Sequence, residues 1–122
     1  MSILSPGSKA GPILWSIDAR LARCLQVMHD DLRRPWKLQD LAYESGQSKA
    51  WLSANFRRAV GIAPMEYLTD LRVQKSTELL RRTDTKIEAI ARAVGYQDAF
   101  GFSKAFHRVA GISPRELQPV LH

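Results

Sequence analysis

Apolar residues recur at steps of three and four positions along most of the chain, which is the spacing of one face of an α-helix. The first such stripe consists of Ile17, Leu21, Cys24, Leu25, Met28 and Leu32. We take Ser16 as the N-cap of this helix and Pro35 as the residue that ends it. The sequence shows no sustained alternation of apolar and polar residues, which is the pattern typical of a β-strand.

The same spacing, together with the glycines and prolines that interrupt it, predicts six further helices. Glycine ends four of them and proline begins two, at Gly46, Gly61, Gly95, Gly111, Pro64 and Pro114. The helix that begins near Pro64 is the longest and extends to about Arg82. The pattern therefore predicts an all-α protein of seven helices.

The second half of the chain repeats the first. The phrase GIAPME at residues 61–66 returns as GISPRE at residues 111–116. Residues 38–46 match residues 87–95, and residues 52–66 match residues 102–116, so one residue is inserted in the second turn. A short helix, a turn after glycine and a second helix form a helix-turn-helix unit, and the chain contains this unit twice.

The repeat divides the chain into four parts. We expect a flexible tail or interdomain linker at 1–15, a first helix-turn-helix subdomain at 16–64, a connecting helix at 65–82 and a second subdomain at 83–122. The connecting helix is about 25 Å long at about 1.5 Å per residue. With its flanking loops it can hold the two second helices near one turn of DNA apart, about 34 Å. Two adjacent major grooves on one face of DNA then become accessible to a single chain.

Charge is distributed unevenly, and this favours a nucleic-acid partner. The net charge of +6 and the pI near 9.9 indicate an acidic partner of some kind. Helical hairpins are common in proteins that never bind DNA, so topology alone does not decide between DNA and protein. However, residues 48–65 and 99–115 contain basic residues and no acid, although Asp and Glu are frequent elsewhere. Because a surface that approaches phosphates excludes uncompensated carboxylates, the second helix of each unit is predicted to bind double-stranded DNA.

Helical geometry separates the two faces of each second helix. In the first unit we expect an inward face of Leu52, Phe56, Ala59 and Val60, and an outward face of Ala50, Ser53, Ala54 and Arg57. In the second unit we expect an inward face of Phe102, Phe106 and Val109, and an outward face of Phe100, Ser103, Lys104 and His107. The outward faces are predicted to meet base edges, with Lys49 and Arg108 as further basic residues of the two helices.

Two segments of the chain resemble a known family. They are PWKLQDLAYESGQSKAWLSANFRRAVGIAPMEYLTDLRVQKSTELLRRTD and IEAIARAVGYQDAFGFSKAFHRVAGISP. From about Asp18 to Leu117 the chain resembles the DNA-binding domain of AraC/XylS-type bacterial transcription regulators. The resemblance implies seven helices, two helix-turn-helix subdomains, and asymmetric DNA sites near promoters that are bound in successive major grooves. It also implies a surface for RNA polymerase.

The resemblance assigns candidate base contacts to both second helices. It implies a first recognition helix at Ser48–Val60, with contacts from Ala50, Ser53 and Ala54. It implies a second at Asp98–Ala110, with contacts from Ala99, Phe100, Gly101 and Lys104. Several of these residues depart from the frequent Arg, Gln and Asn of the family and cannot donate a side-chain hydrogen bond. We therefore expect modest sequence specificity with much readout of DNA shape.

Four residues leave alternatives open. Lys37 and Lys86 stand where the family commonly has a Ser or Thr cap, and each either approaches a phosphate or is a solvated lysine at a frayed helix end. Trp51 either contacts the DNA backbone or is partly buried against neighbouring helices. Phe100 is either an exposed aromatic contact for DNA or an additional core residue.

Several other classes of protein are disfavoured. Cys24 is the only cysteine and is expected to lie in the core, which excludes an intrachain disulfide and a cysteine-based zinc site. The three histidines are scattered, and the pair Ser103 and His107 has no carboxylate at a spacing that would orient the imidazole, so we expect no catalysis, metal or cofactor. No apolar run reaches the roughly 18 residues that span a membrane, and we expect a cytoplasmic protein.

Two alternative functions remain, a helical protein-interaction module and a non-specific architectural DNA binder. Regulators of the family usually carry an N-terminal effector-binding or dimerising domain. The chain is either a regulator that stands alone, as a few family members do, or a C-terminal fragment, and its first residues favour the fragment. A small-molecule effector is expected only if such a domain precedes this chain.

Overall fold

The computed structural model describes residues 17–82 and 84–119, which form seven α-helices and no strand. The helices are α1 (Ala19–Asp30), α2 (Leu38–Ser45), α3 (Lys49–Val60), α4 (Pro64–Arg82), α5 (Ile87–Ala93), α6 (Ala99–Ala110) and α7 (Pro114–Leu117). The prediction of an all-α fold with two helix-turn-helix subdomains and a long central helix is confirmed.

The described chain forms two compact units. Unit 1 contains residues 17–30 and 36–66, and unit 2 contains residues 31–35, 67–82 and 84–119. Unit 1 therefore holds the helix pair α2 and α3, while unit 2 holds the pair α5 and α6. Helix α4 begins in unit 1 and continues through unit 2.

Helix α1 is shorter at both ends than its apolar stripe predicts. It begins at Ala19, where the Asp18 carboxylate accepts the backbone N–H of Arg20 at 2.7 Å, and the predicted cap Ser16 lies outside the described residues. It ends at Asp30, so the prediction that it continues to Pro35 is wrong. The carboxylates of Asp30 and Asp31 are repelled by the partial negative charge at a helix C-terminus. Continuation of the helix is therefore disfavoured, and the chain forms a turn at 31–34.

Unit 1 is built around an apolar core to which α1, α2 and α3 contribute. Its fully buried side chains include Cys24, Met28, Leu41, Leu52 and Phe56. Burial of each large apolar side chain contributes about 1.5–3 kcal/mol. Trp36, which directly precedes the N-cap of α2, is only 5% exposed and belongs to the same unit.

Unit 2 has its own core, which consists of Val73, Leu80, Ile90, Ala91, Val94, Phe102 and Phe106. The rings of Phe102 and Phe106 meet edge to face with centroids 5.7 Å apart, and Tyr96 lies 5.7 Å from Phe102 on the margin of the cluster. Such aromatic pairs contribute about 0.5–1.5 kcal/mol beyond their area. Two of these aromatic residues belong to α6, so the core fixes the rotation of that helix about its axis.

The repeated phrase GI-P-E is a helix stop followed by a helix start. Gly61 and Gly111 hold positive φ angles of 101° and 82° at the C-caps of α3 and α6, a conformation that favours glycine. Pro64 and Pro114 then occupy the first position of α4 and α7, where their missing N–H is not needed.

The glutamate of the phrase completes the same structure. The Glu66 carboxylate accepts the backbone N–H of Ala63, and the Glu116 carboxylate accepts that of Ser113, both at 3.1 Å. Each glutamate is the third residue of its helix and caps the turn that precedes it. The phrase recurs because both units use the same capped exit from their second helix.

Candidate nucleic-acid interface

Helices α3 and α6 are capped in the same way, by a side-chain oxygen that accepts the backbone N–H of the third residue of the helix. The Ser48 hydroxyl accepts the backbone N–H of Trp51 at 3.0 Å, and the Asp98 carboxylate accepts that of Gly101 at 2.8 Å. Both caps satisfy an amide that would otherwise have no partner within the helix. The predicted bounds of both helices are confirmed, with Ser48 and Asp98 as the capping residues.

The inward faces are anchored by four large apolar side chains. Leu52 and Phe56 of α3 are completely buried, as are Phe102 and Phe106 of α6. The prediction of these inward residues is confirmed. Because each pair is separated by one helical turn, the opposite face of each helix is directed away from its own core.

The inward assignment fails in the last turn of each helix. Ala59 is exposed and Val109 is 42% exposed, so the prediction that they point into the core is wrong. Both residues stand two positions before the glycine that ends their helix, at Gly61 and Gly111. The apolar period continues there although the core does not extend that far.

The outward face of α3 is basic and lined with small side chains. Lys49, Ala50, Ala54 and Arg57 are exposed, and Ser53 is half-buried. Nη2 of Arg57 lies 3.8 Å from a carboxylate oxygen of Glu66, and both side chains are more than 60% exposed. Such a pair contributes little and leaves the guanidinium accessible to another anion.

The outward face of α6 combines an aromatic ring with three exposed polar residues. Phe100 is 74% exposed, so it is not an additional core residue. Nζ of Lys104 lies 5.3 Å from the centroid of the Phe100 ring, within the range of a cation–π contact. His107 and Arg108 are exposed on the same helix, and Ala99, Gly101 and Ser103 are half-buried.

A cleft of about 290 Å³ adjoins α6. Its lining comes from α5, α6 and the start of α7 and includes Ile87, Glu88, Ala99, Ser103, Ser113, Pro114 and Arg115. Two predicted contact residues, Ala99 and Ser103, border this space. Because Glu88 and Arg115 bring opposite charges to it, the cleft is not a dedicated anion site.

The two lysines at N-cap positions differ in their surroundings. Lys37 and Lys86 are both exposed and directly precede α2 and α5. A lysine ammonium cannot accept a hydrogen bond, but the Asp40 carboxylate accepts the backbone N–H of Lys37 at 3.0 Å. Asp40 thus supplies half of a capping box to α2, while Lys86 has no side-chain cap.

Trp51 is supported by an arginine that sequence analysis missed. Cζ of Arg20 lies 4.3 Å from the centroid of the half-buried Trp51 ring. Nε and Nη2 of Arg20 also donate to the two carboxylate oxygens of Asp18 at 2.9 and 2.8 Å. These bonds lower the pKa of Asp18 to about 2. The contact joins α1 to α3, and helical periodicity carries no information about such a pair.

A second missed arginine stabilises unit 2. Arg72 of α4 donates from Nε to the carbonyl oxygen of Leu32 at 3.2 Å and from Nη2 to that of Arg34 at 2.8 Å. Its guanidinium lies 5.7 Å from the ring centroid of Tyr96. Burial lowers the pKa of Arg72 and raises that of Tyr96. Arg72 therefore fixes the 31–35 segment and does not face a ligand.

The remaining chemistry gives no second site. No group of His, Cys, Asp and Glu within the described ranges could hold a metal ion. Cys24 is completely buried, and desolvation raises the pKa of its thiol to about 12. None of the helices in the described part of the chain combines the length and apolar character needed to cross a membrane.

Two helix-turn-helix units, each with an exposed and basic second helix, define the class of this protein as a helix-turn-helix DNA-binding protein. Its family follows from comparison with known proteins. The family model described as a helix-turn-helix domain matches residues 41–119. The chain belongs to this family, in its AraC-type branch of bacterial transcription regulators, which are DNA-binding proteins and not enzymes.

Individual relatives agree with this assignment. An AraC-like transcription regulator of Streptomyces lividans is 34% identical over 110 residues, which cover 90% of this chain and 36% of that protein. The C-terminal domain of AraT, a response regulator from Geobacillus stearothermophilus, is 29% identical, with a TM-score of 0.81 over 84% of this chain and 86% of that one. The DNA-binding domain of AdpA, solved in complex with a target DNA, is 25% identical, with a TM-score of 0.76 over 80% and 87%.

The chain spans about a third of the length of the curated relatives it matches.

Proposed function

We propose that this chain is the DNA-binding part of a transcription regulator and that it inserts α3 and α6 into adjacent major grooves of promoter DNA. The observation that carries the proposal is the equivalence of the two helices. Each is capped by a side chain, fixed by two buried apolar residues, and presents an exposed face with basic residues. A helix of this kind in a helix-turn-helix unit enters the major groove with its N-terminal residues against the bases.

We assign base contacts to the outward faces of both helices. Hydrogen bonds to bases come from Ser53 and Arg57 on α3, and from Ser103, Lys104 and His107 on α6. Ala50, Ala54, Ala99, Gly101 and Phe100 offer only apolar, ring or backbone contacts, which suit the methyl group of thymine. Few bidentate pairs are available, so much of the discrimination comes from DNA shape and deformability.

We assign contacts to the phosphate backbone to the basic residues and the indole that flank these faces. The cationic members of this set are Lys37, Lys49, Lys86 and Arg108, and Trp51 adds an indole N–H. Such contacts are independent of sequence and make affinity depend on salt. Replacement of Lys37 or Lys86 by alanine should weaken binding equally on all duplexes and flatten the salt dependence. An unchanged salt slope would show that the lysine is only solvated.

We propose that residues 1–15 link the domain to a preceding effector-binding or dimerising domain, with the helix-turn-helix subdomains at 16–64 and 83–122 joined by the connecting helix at 65–82. Only that preceding domain would bind a small-molecule effector. We further propose that a surface of the present domain contacts RNA polymerase and that the regulator acts as an activator. A promoter–reporter assay in cells tests the sign of regulation, since an activator raises expression.

The binding function is tested by titrating the chain against labelled duplexes at several salt concentrations. We expect affinity to fall steeply with salt and to be highest for duplexes selected from a random pool. A protein-interaction module would not bind duplex DNA even at low salt. An architectural binder would bind with a steep salt dependence but would lose its selected duplex equally to bulk competitor DNA.

A further inference from the structure

We propose that Arg20, supplied by α1, is a phosphate contact that Asp18 and Trp51 hold in place beside the recognition helix α3. The inference rests on the proposed function and adds to it a residue from outside the helix-turn-helix pair. The sequence pattern did not assign Arg20 any role, since it lies in the first turn of a helix that does not itself enter DNA.

The guanidinium of Arg20 is held by two neighbouring residues of its own unit. Its Cζ lies 4.3 Å from the centroid of the Trp51 ring, and the Asp18 carboxylate accepts both Nε–H and an Nη2–H. The backbones of Arg20 and Trp51 are also fixed, because the Asp18 carboxylate accepts the backbone N–H of Arg20 and the Ser48 hydroxyl accepts that of Trp51. An arginine that is already ordered loses less conformational entropy when it binds.

This guanidinium still has donors to offer. It carries five N–H groups, of which the Asp18 carboxylate takes two. The two N–H groups of Nη1 and the second of Nη2 make no hydrogen bond to another described residue. The side chain is 46% exposed. The planar fork of arginine can therefore hold a carboxylate on one edge and a phosphate on the other.

Arg20 lies beside α3 where a phosphate of the DNA backbone, and not a base, would be expected. Successive residues of a helix are about 100° apart, so Trp51 lies between the exposed Ala50 of the outward face and the buried Leu52. When a helix lies in the major groove, its outward face meets base edges and its flanks meet the sugar–phosphate walls. Arg20 covers such a flank, and its contact is expected to be independent of base sequence.

The test compares Arg20→Ala with a matched arginine of the same helix. Arg23 is also exposed, at 56%, and pairs with the Glu44 carboxylate at 2.9 Å, but it does not cover Trp51. Binding is measured against salt on two duplexes of different sequence. We expect Arg20→Ala to reduce the salt slope by about 0.9 on both duplexes, which is the loss of one phosphate contact. We expect Arg23→Ala to keep the wild-type slope.

Arg20→Lys separates a phosphate contact from a purely structural role. Lysine keeps the charge but lacks the planar fork, so it should restore the slope with only part of the affinity. A wild-type slope in Arg20→Ala would overturn the proposal, even if affinity or stability falls, because Arg20 would then only buttress Trp51. If the wild-type chain itself showed no salt-dependent binding to DNA, both the proposed function and this contact would be overturned.

Discussion

At the scale of single residues, Gly95 is the most constrained glycine of the described chain. Its φ angle is 109°, and a Cβ at this position would lie 2.7 Å from Nε of Arg72 and 2.9 Å from the carbonyl oxygen of Leu32. Gly111 also has a positive φ, 82°, but a Cβ there would meet nothing within 4 Å. The two glycines therefore separate the cost of the left-handed backbone from the cost of crowding.

We expect Gly111→Ala to lower the free energy of unfolding by about 1–2 kcal/mol, the cost of a left-handed alanine. Gly95→Ala should cost at least about 1 kcal/mol more, because its methyl group also collides with Arg72 and with a backbone oxygen. Urea denaturation of both variants measures the difference. Equal losses would show that the contacts of Arg72 with the 31–35 segment do not constrain Gly95.

Residue-scale contacts are also where sequence analysis was weakest. It placed Leu52 and Phe102 in the core, because their positions follow the helical period. It missed that Arg20 stacks on Trp51, since that contact depends on how two helices pack and leaves no periodic signal. It wrongly buried Val109, because it had no measure of where the core ends.

At the scale of helices, the repeat was predictable because its signals are local. Glycine with a positive φ, proline at the first helical position and glutamate at the third each act within a few residues of their own backbone. The ends of α3 and α6 and the starts of α4 and α7 could be predicted directly from these signals. The end of α1 did not, because Pro35 is a strong stop signal that masks the weaker effect of Asp30 and Asp31.

Replacement of Lys86, which precedes α5, by serine should have opposite effects on the stability of the chain and on its binding to DNA. Lys86→Ser should stabilise the chain by about 0.5–1 kcal/mol, since serine caps the helix and removes a positive charge from its N-terminus. The same change should reduce the salt slope of DNA binding by about 0.9, as one phosphate contact is lost. Thermal unfolding and salt titration measure the two effects.

Lys86→Ala provides the control for this prediction, since alanine removes the charge without supplying a cap. Its salt slope should match that of the serine variant, while its stability should gain less. Two variants with the slope of the wild-type chain would assign Lys86 to solvent and not to DNA.

Phe100 and Lys104 of α6 are in contact, yet they should affect binding differently. Lys104→Ala removes a positive charge together with the proposed hydrogen bond to a base, so it should weaken binding and flatten the salt dependence. Phe100→Ala should leave the slope unchanged and weaken binding most on duplexes with thymine beneath α6. Because Phe100 is 74% exposed, its replacement should hardly change the unfolding midpoint.

A salt titration on a thymine-containing duplex and on its uracil counterpart, which lacks the methyl group, measures this difference. Equal losses of affinity for Phe100→Ala on both duplexes would contradict the proposed ring contact.

At the scale of the whole molecule, the proposed function requires both units to bind one duplex. Each unit has its own core and its own capped, exposed second helix. Sequence analysis could predict this duplication, because a repeat is visible in one sequence. How strongly each unit contributes could not be predicted, since the two outward faces differ at three of four aligned positions and share only Ser53 and Ser103.

Hydroxyl-radical footprinting on a selected duplex tests this claim most directly. The wild-type chain should protect two segments about one helical turn apart on one face of the DNA. Arg57→Ala with Lys49→Ala should weaken protection of one segment, and Lys104→Ala with Arg108→Ala that of the other. A single protected segment, or two segments that both pairs of changes weaken equally, would contradict the binding of one duplex by two separate helices.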